Sequence, residues 1–280
     1  GLIEDMQILS GDLVSNGDFS QEGSELITNG DFATDTAWTK GSGWTISGGK
    51  ANASATTGQL YQGTTTTINT QYKIKYTISN YVSGSYNFLL RGTSTATFSG
   101  NGTFTVYITS GSNGNSNFII DGVSSFTGSI DNVSVKEVGQ DWSVIDSDAN
   151  NFVEFTQGQA RLKFLNTSPI TQLRATAPFV SGKKYKLIVD VANVASGSIK
   201  VANAGINETF DTIGISTRII NPTGTSNIEF YRASADVDIT LNSVSLIEIT
   251  EDTNLPRIDY SPYSGAGTCG HWLFEPQSTN

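Results

Sequence analysis

The sequence predicts an all-β protein built from two copies of one β-sandwich module. Apolar and polar residues alternate with a period of two through most of the 280 residues. Clusters of Gly, Ser, Thr and Asn separate these runs, and helical spacing of apolar residues is almost absent. The length suits about two domains of roughly 150 residues each.

The alternating runs define the predicted strands, which fall into two series. The first series comprises Tyr72–Ile78, Tyr86–Leu90, Thr103–Thr109 and Phe126–Val138. The second comprises Asn151–Thr156, Ala160–Leu165, Lys184–Val191, Ser198–Asn203, Asn227–Arg232 and Asp238–Ile249. Turn-forming residues bound each run, as is typical of short antiparallel strands.

The two series match one another as an internal repeat. Most matches have an offset of 113 residues (185 − 72). The matched positions are Tyr72 with Tyr185, Asn80 with Asn193, Gly84 with Gly197, Trp44 with Trp142, and Ile130–Val135 with Leu241–Leu246. Trp38 has no counterpart in this alignment.

The opening segment of the repeat predicts that one copy interrupts the other. The first copy opens with Leu26–Phe32 (LITNGDF), whereas only VKEVGQ (residues 135–140) and Asp141 separate the last strand of the first copy from Trp142. A spare opening strand, Leu13–Phe19 (LVSNGDF), lies upstream of both copies. We predict that residues 23–138 form a module inserted into a discontinuous module of residues 11–22 and 139–250, because surface loops tolerate insertions. The alternative is that Leu13–Phe19 is a stray duplicated strand or a linker.

Composition excludes several classes of function. The 16 Lys and Arg against 26 Asp and Glu give a net charge of -10, which provides no attraction to nucleic acid or anionic membranes. No apolar stretch approaches the 18 residues of a membrane span. A single cysteine, Cys269, excludes an internal disulfide and a thiolate zinc site. The single histidine, His271, is expected to be a packing residue, so we predict no enzyme; paired-carboxylate glycosidase chemistry stays an alternative.

The first copy resembles a known family of binding modules. It opens with NGDF, has a Trp shortly after, and closes with SIDNVSV. In this it resembles the CBM4/9-like carbohydrate-binding modules, which are jelly-roll sandwiches related to the galactose-binding-like fold. The resemblance covers Leu26–Val138 well and the second copy less closely. It implies two jelly-roll β-sandwich modules and a polysaccharide or cell-surface glycan as the partner.

The ends of the chain, residues 1–10 and 251–280, resemble a different group of proteins. The segments GLIE (Gly1–Glu4), NLPRIDY (Asn254–Tyr260) and LFEPQSTN (Leu273–Asn280) resemble the GLIE, PRIDY and LLLEPQRTN segments of bacteriophage tail and fibre proteins. The chain departs from that pattern at Ser278, where Arg is usual, and in Trp272–Phe274, where aliphatic residues are usual. This resemblance implies an irregular C-terminal tail, a virion-surface or extracellular location, and other virion subunits as partners.

Strand alternation selects candidate glycan contacts, because sugar recognition needs flat apolar faces and a few fixed polar groups. Asn87 and Arg91 lie on the strand face opposite Tyr86 and Phe88, and Tyr107 faces away from the core, so these three are predicted to line an open sheet face. In the second copy, alternation places three candidates on outward faces. They are Lys186, Glu229 and Tyr231. The alternative is that all of these are ordinary solvated sheet residues.

Aromatic residues outside the alternating strands are further candidates. Trp38 lies in a polar stretch and is predicted to be an exposed sugar platform. Tyr61 and Tyr81, beside turn residues, are predicted as additional contacts. Trp44, matched with Trp142, is predicted to be a core residue.

The resemblance to carbohydrate-binding modules also implies a structural calcium ion. Asp31 of NGDF and Asp131 of SIDNVS would supply carboxylate oxygens, which suit Ca²⁺. The second copy has Asp18 but Asn242 at the corresponding positions, so a site there is less favoured. A turn formed by Asn-Gly-Asp is the alternative role of this motif.

The combined prediction is a non-catalytic glycan-binding region of a phage tail or fibre protein. The alternatives are a purely structural virion spacer or decoration, and carbohydrate-binding modules of a secreted bacterial glycan-degrading protein.

Overall fold

The computed structural model describes residues 8–165 and 170–249, and the backbone of residues 257–259 and 271–273; for residues 177 and 178 only the backbone is described. All regular secondary structure in these residues consists of β-strands. They include no helix that is long and apolar enough to cross a membrane. Cys269, the side chain of His271, and most of the tail-protein-like segments lie outside the described residues.

The first module (residues 23–138) consists of two five-stranded antiparallel sheets. One has the order β3-β4-β11-β6-β9 and the other β2-β5-β10-β7-β8. The strands are β2 (Thr39–Lys40), β3 (Trp44–Ser47), β4 (Lys50–Thr56), β5 (Gln59–Gly63), β6 (Gln71–Ser83), β7 (Tyr86–Leu90), β8 (Thr93–Ser94), β9 (Gly102–Thr109), β10 (Asn117–Gly122) and β11 (Phe126–Glu137).

The strands between Trp142 and Ile249 repeat this architecture, and we call residues 139–249, together with the segment of residues 11–22, the second module. Its sheets have the orders β13-β14-β21-β16-β19 and β12-β15-β20-β17-β18. Strand β1 (Ile8–Asp12) pairs with the C-terminal end of the central strand β21, beyond the part of β21 that pairs with β14. The remaining strands are β12 (Trp142–Ile145), β13 (Phe152–Thr156), β14 (Gln159–Phe164), β15 (Gln172–Phe179), β16 (Lys184–Ser196), β17 (Ile199–Val201), β18 (Glu208–Phe210), β19 (Gly214–Ile220), β20 (Ser226–Arg232) and β21 (Val237–Ile249). Strands β22 (Arg257–Asp259) and β23 (His271–Leu273) form a separate antiparallel pair. The predicted all-β fold with two β-sandwich modules is confirmed.

Sheet order shows that the predicted match of Trp44 with Trp142 is wrong. Trp142 is the first residue of β12, which pairs with β15. In the first module the strand equivalent to β12 is β2, which pairs with β5 and begins directly after Trp38. The indole N–H of Trp38 donates to the Asn29 carbonyl, and that of Trp142 donates to the Asn16 carbonyl, both at 3.0 Å. The counterpart of Trp142 is therefore Trp38, while Trp44 is a separate core residue, 4% exposed.

The two NGDF segments are turns, not the predicted opening strands. Asn16 and Phe19, and likewise Asn29 and Phe32, have positive φ angles between 50° and 55°, which break a strand. In each turn a phenylalanine packs against a tryptophan with ring centroids 5.1 Å apart. Local backbone geometry therefore overrides the apolar pattern that suggested strands.

Each NGDF turn is held by the last strand of a different module. Gly30 O accepts a hydrogen bond from Val133 N in the first module, and Gly17 O accepts one from Val244 N in the second, both at 2.8 Å. Phe19 belongs to the hydrophobic cluster of the second module, together with Trp142. We therefore propose that residues 23–138 are an insertion between this turn and the rest of the second module.

The modules contact one another through the ends of β6, β9 and β11 and the hairpin of β13 and β14. Gln71 Oε1 accepts a hydrogen bond from Phe155 N at 2.5 Å, and the Tyr107 hydroxyl accepts one from Gln157 N at 3.0 Å. Glu22 of the second module forms ion pairs with Lys73 and Lys136 of the first. Two backbone N–H groups of the second module are thus paired with side chains of the first, and ion pairs add to the junction.

Candidate functional site

The outer face of the β12-β15-β20-β17-β18 sheet in the second module carries a connected group of polar side chains. Register places Arg174 opposite Glu229, and Lys200 opposite Tyr231. Because neighbouring strands lie about 4.8 Å apart and residues two apart share a face, these four side chains form one patch. We call Arg174, Lys200, Glu229 and Tyr231 the charged patch.

Glu229 is the organising residue of the charged patch. It is only 8% exposed, and its carboxylate pairs with Arg174 Nε at 2.7 Å while accepting a hydrogen bond from the Tyr231 hydroxyl. Burial, followed by the hydrogen bond to Glu229, raises the pKa of Tyr231 to about 12. The phenol therefore stays protonated at neutral pH and keeps donating to the carboxylate.

The remaining donors of the charged patch are partly exposed. Arg174 forms an ion pair with Glu229, but its buried Nε makes no hydrogen bond within the described residues; its Nη2 donates to Gln172 Oε1 at 3.3 Å, and its side chain is 37% exposed. Among the described residues, no hydrogen bond or ion pair engages the ammonium group of Lys200. A fixed guanidinium, an ammonium group and a partly exposed phenol ring on one face suit hydroxyl and carboxylate oxygens of a sugar chain.

The equivalent sheet face of the first module is more apolar. Tyr61, Ile119 and Leu89 lie side by side on β5, β10 and β7, and all three are partly exposed. In the neighbouring row, Asp121 lies opposite Asn87. The Oδ1 atom of Asn87 is buried and has no hydrogen-bond partner among the described residues. We call Tyr61, Asn87, Leu89, Ile119 and Asp121 the apolar patch.

Arg91 lies in a turn directly after β7, with a φ angle of 47°, and not on the predicted strand face; its side chain is occupied by contacts within the protein. Its Nε donates to the Thr66 carbonyl at 2.8 Å and its Nη1 to the Asn113 carbonyl at 3.0 Å. These bonds tie together the loops that precede β6 and β10. Arg91 therefore has an evident structural role at the end of the apolar patch.

Two predicted aromatic contacts are not on open surfaces. Trp38 is 7% exposed and packs in the first module's core, so the prediction of an exposed platform is wrong. Its burial follows from the indole hydrogen bond that closes the NGDF turn. Tyr107 faces away from its own core as predicted, but it packs against the hydrophobic cluster of the second module, so its predicted place on an open face is also wrong.

The other candidates do not converge on one site. Tyr107 lies on β9, in the sheet opposite the one that carries Asn87, and Lys186 lies on β16, in the sheet opposite Glu229 and Tyr231. The Tyr81 hydroxyl donates to the Gly84 carbonyl at 2.9 Å at the end of β6. The structure thus places Tyr61 and Asn87 on one sheet face, on strands separated by β10, and joins Glu229 to Tyr231 by a hydrogen bond.

Sequence reasoning missed Arg174 and Lys200. The run that contains Arg174 (QLRATA) alternates, but two of its three apolar positions are Ala, which is depleted in strands, and the run is not among the predicted strands. The 113-residue offset gives the signal that could have found them, because it places Arg174 on Tyr61 and Lys200 on Asn87.

The carboxylates proposed for calcium are used in local turns. Asp31 Oδ1 accepts a hydrogen bond from Ala33 N at 3.3 Å, and Asp131 Oδ1 accepts one from Asn132 N at 2.7 Å. In the part of the chain that the structure describes, no group of three or more His, Cys, Asp or Glu side chains could hold a metal ion. Calcium at Asp31 and Asp131 therefore stays a prediction of the family resemblance.

Comparisons with known proteins give only distant similarities. No family model matches the chain, and no curated protein matches its sequence. Among solved structures, the CBM22-1-CBM22-2 tandem domain of Paenibacillus barcinonensis Xyn10C is 12% identical, with 82% of this chain and 99% of that chain covered and a TM-score of 0.29. An allantoicase structure is 8% identical (86% and 95% covered, TM-score 0.25), and the major capsid protein P2 of bacteriophage PM2 is 11% identical (73% and 96% covered, TM-score 0.20). Scores this low carry no inference about function.

Proposed function

We propose that the chain is a non-catalytic pair of modules that binds a polysaccharide or cell-surface glycan, with the charged patch of the second module as the main contact. The observation that supports it is the Glu229 carboxylate, held in a nearly buried position between Arg174 and Tyr231 on an outward sheet face. A buried carboxylate on an outer face is costly unless paired, and its pairing orients two groups that suit sugar recognition.

The predicted setting in a phage tail or fibre rests on the terminal segments alone. Those segments lie largely outside the described residues, and the described modules contribute no support for a virion location. The same pair of modules suits a secreted bacterial protein that degrades glycans, in which they would deliver a catalytic domain to its substrate.

A glycan array with the intact chain tests the proposed binding, followed by calorimetric titration of any retained glycan. Lys200→Ala is the informative variant, because it removes an outward ammonium group without breaking a described contact. We expect it to weaken binding about tenfold. Lys186→Ala is the matched control, since it removes the same group from the opposite sheet of the same module, and it should leave affinity unchanged.

Two outcomes would count against the proposal. Absence of retention across acidic and neutral glycans would favour a structural spacer, and equal losses in the two lysine variants would indicate nonspecific attraction by positive charge. Repeating the array with EDTA tests the predicted calcium separately, because loss of binding in EDTA would support a structural ion.

A further inference from the structure

A cleft of about 480 Å³ lies between the two modules and shares no lining residue with either sheet-face patch. One wall comes from the ends of β6, β9 and β11, and the other from β12, the loop after it, and β13. This volume is within the range of roughly 300–1,000 Å³ that is usual for small-ligand sites.

The lining of the cleft combines apolar side chains, most of them on the second-module wall, with polar groups from both modules. Trp142, Val144 and Phe155 are among the apolar residues, and Asn69 and Glu137 are among the polar ones. A surface of this kind suits a pyranose ring, whose C–H face packs on apolar side chains while its hydroxyls bond to amide and carboxylate groups.

Glu137 is the polar group that the protein's own contacts leave unused. Within the described residues, no hydrogen bond or ion pair engages its carboxylate, and burial raises its pKa. By contrast, Asp148 in the same cleft is engaged by Asn150 N and Asn151 N at 2.7 and 2.8 Å, and Glu154 pairs with Arg161. Glu137 is therefore available to a ligand hydroxyl.

We propose that this inter-module cleft is a second binding site, which takes one neutral sugar unit. The three carboxylates of Glu137, Asp148 and Glu154 would repel an acidic sugar, so the cleft should select neutral units over uronates. Because residues of both modules form its walls, the site exists only when the modules are joined as they are here.

Blocking variants on one strand provide the test. Thr109 lies at the cleft and is exposed, whereas Thr105 is exposed on the same side of β9 but does not line the cleft. Thr109→Trp should fill the cleft without disturbing either core, and Thr105→Trp is the matched control. The probes are methyl glucoside, which is neutral, and glucuronate, which is acidic; the reporter is the indole N–H resonance of Trp142 in a titration followed by NMR.

We expect methyl glucoside to shift the Trp142 resonance saturably and glucuronate not to do so. Thr109→Trp and Glu137→Ala should each weaken the effect about tenfold, and Thr105→Trp and Lys200→Ala should leave it unchanged. A missing shift, an equal shift with glucuronate, or an unchanged affinity in Thr109→Trp would overturn the cleft proposal. Loss of the shift in Lys200→Ala would overturn it too, by assigning the sugar to the charged patch, whose own test uses different residues.

Discussion

The charged patch and the apolar patch occupy the same positions of two equivalent sheets, yet their chemistry differs. Strand register aligns the two faces residue by residue. The equivalent pairs are Gln59 with Gln172, Tyr61 with Arg174, Ile119 with Glu229, Asp121 with Tyr231, and Asn87 with Lys200. An ion pair in one module thus replaces a tyrosine–isoleucine contact in the other. One scaffold therefore carries two surfaces that suit different ligands.

At positions that face the core the two modules are alike, because the same contacts occur in both. Tyr72 and Tyr185 are both 1% exposed, and each hydroxyl accepts a hydrogen bond from the backbone N–H five residues earlier, from Thr67 and Val180 respectively. Packing inside each sandwich restricts what a residue can be, whereas an outward side chain meets few partners. The difference between the patches therefore arises on a fixed backbone.

The largest expected effect on stability comes from removing the phenylalanine ring of each NGDF turn. Phe19→Ala should destabilise the second module by about 3–5 kcal/mol, because it removes a ring that is 3% exposed and packed on Trp142. Phe32→Ala is the matched variant and should destabilise the first module instead. Hydrogen exchange measured strand by strand separates the two. If Phe19→Ala raised exchange chiefly in the first module, the proposed insertion would be wrong.

A smaller effect is expected from truncating the equivalent residues of the two patches. Glu229→Ala should cost about 1–3 kcal/mol, because Arg174 loses its charged partner and Tyr231 its acceptor. Ile119→Ala should cost about 1 kcal/mol through lost apolar contact. Urea unfolding at low and high salt distinguishes the mechanisms, since only the Glu229 effect should shrink as salt rises. A salt-independent loss in Glu229→Ala would show that its ion pair contributes nothing.

Alkaline pH provides a third test of the comparison, because the two patches carry their tyrosines at different positions. Tyr231 of the charged patch corresponds to Asp121, and Tyr61 of the apolar patch corresponds to Arg174. The pKa of Tyr231 is raised to about 12, above its ordinary value of 10.0, so folding favours the protonated form. The resulting stabilisation is complete below about pH 10 and is lost as pH rises through about 12. Carbon NMR of labelled tyrosines should show this late titration in the parent protein and its absence in Tyr231→Phe. A Tyr231 signal that titrated near 10 would contradict the burial of its phenol together with the hydrogen bond to Glu229.

The strands were predictable because alternation is a local property of sequence. Tyr86–Leu90 has the predicted bounds, whereas β6 and β16 continue to Ser83 and Ser196, beyond their predicted ends. In each module the register between this strand and the last strand shifts at a β-bulge. A bulge interrupts the alternation of inward and outward side chains along the strand. The alternation of apolar and polar residues therefore ends where the register shifts, although β6 and β16 remain paired beyond that point.

The candidate site was less predictable, because alternation shows which way a residue faces but not which sheet carries its strand. It placed Asn87, Tyr107, Lys186 and Glu229 on outward sides, but Tyr107 and Lys186 lie on the opposite sheets of their sandwiches. It also could not show that the outward side of Tyr107 meets the other module. Those properties depend on long-range pairing and on how the modules join.

The smallest expected effect tests whether the junction, rather than either patch, depends on charge. Hydrogen bonding to Lys73 lowers the pKa of Glu22 below its ordinary value of 4.5, so this carboxylate stabilises the fold above about pH 4.5 and loses that contribution as pH falls. Because these side chains are partly exposed, Glu22→Gln should cost less than about 1 kcal/mol at pH 7, and the difference should vanish in acid. Asp35→Asn, which breaks the exposed Lys40 pair inside the first module, is the control. Hydrogen exchange at Phe155 N and Gln157 N should rise in Glu22→Gln and not in Asp35→Asn. If the loss of stability in Glu22→Gln persisted in acid, Glu22 would act through packing instead of charge.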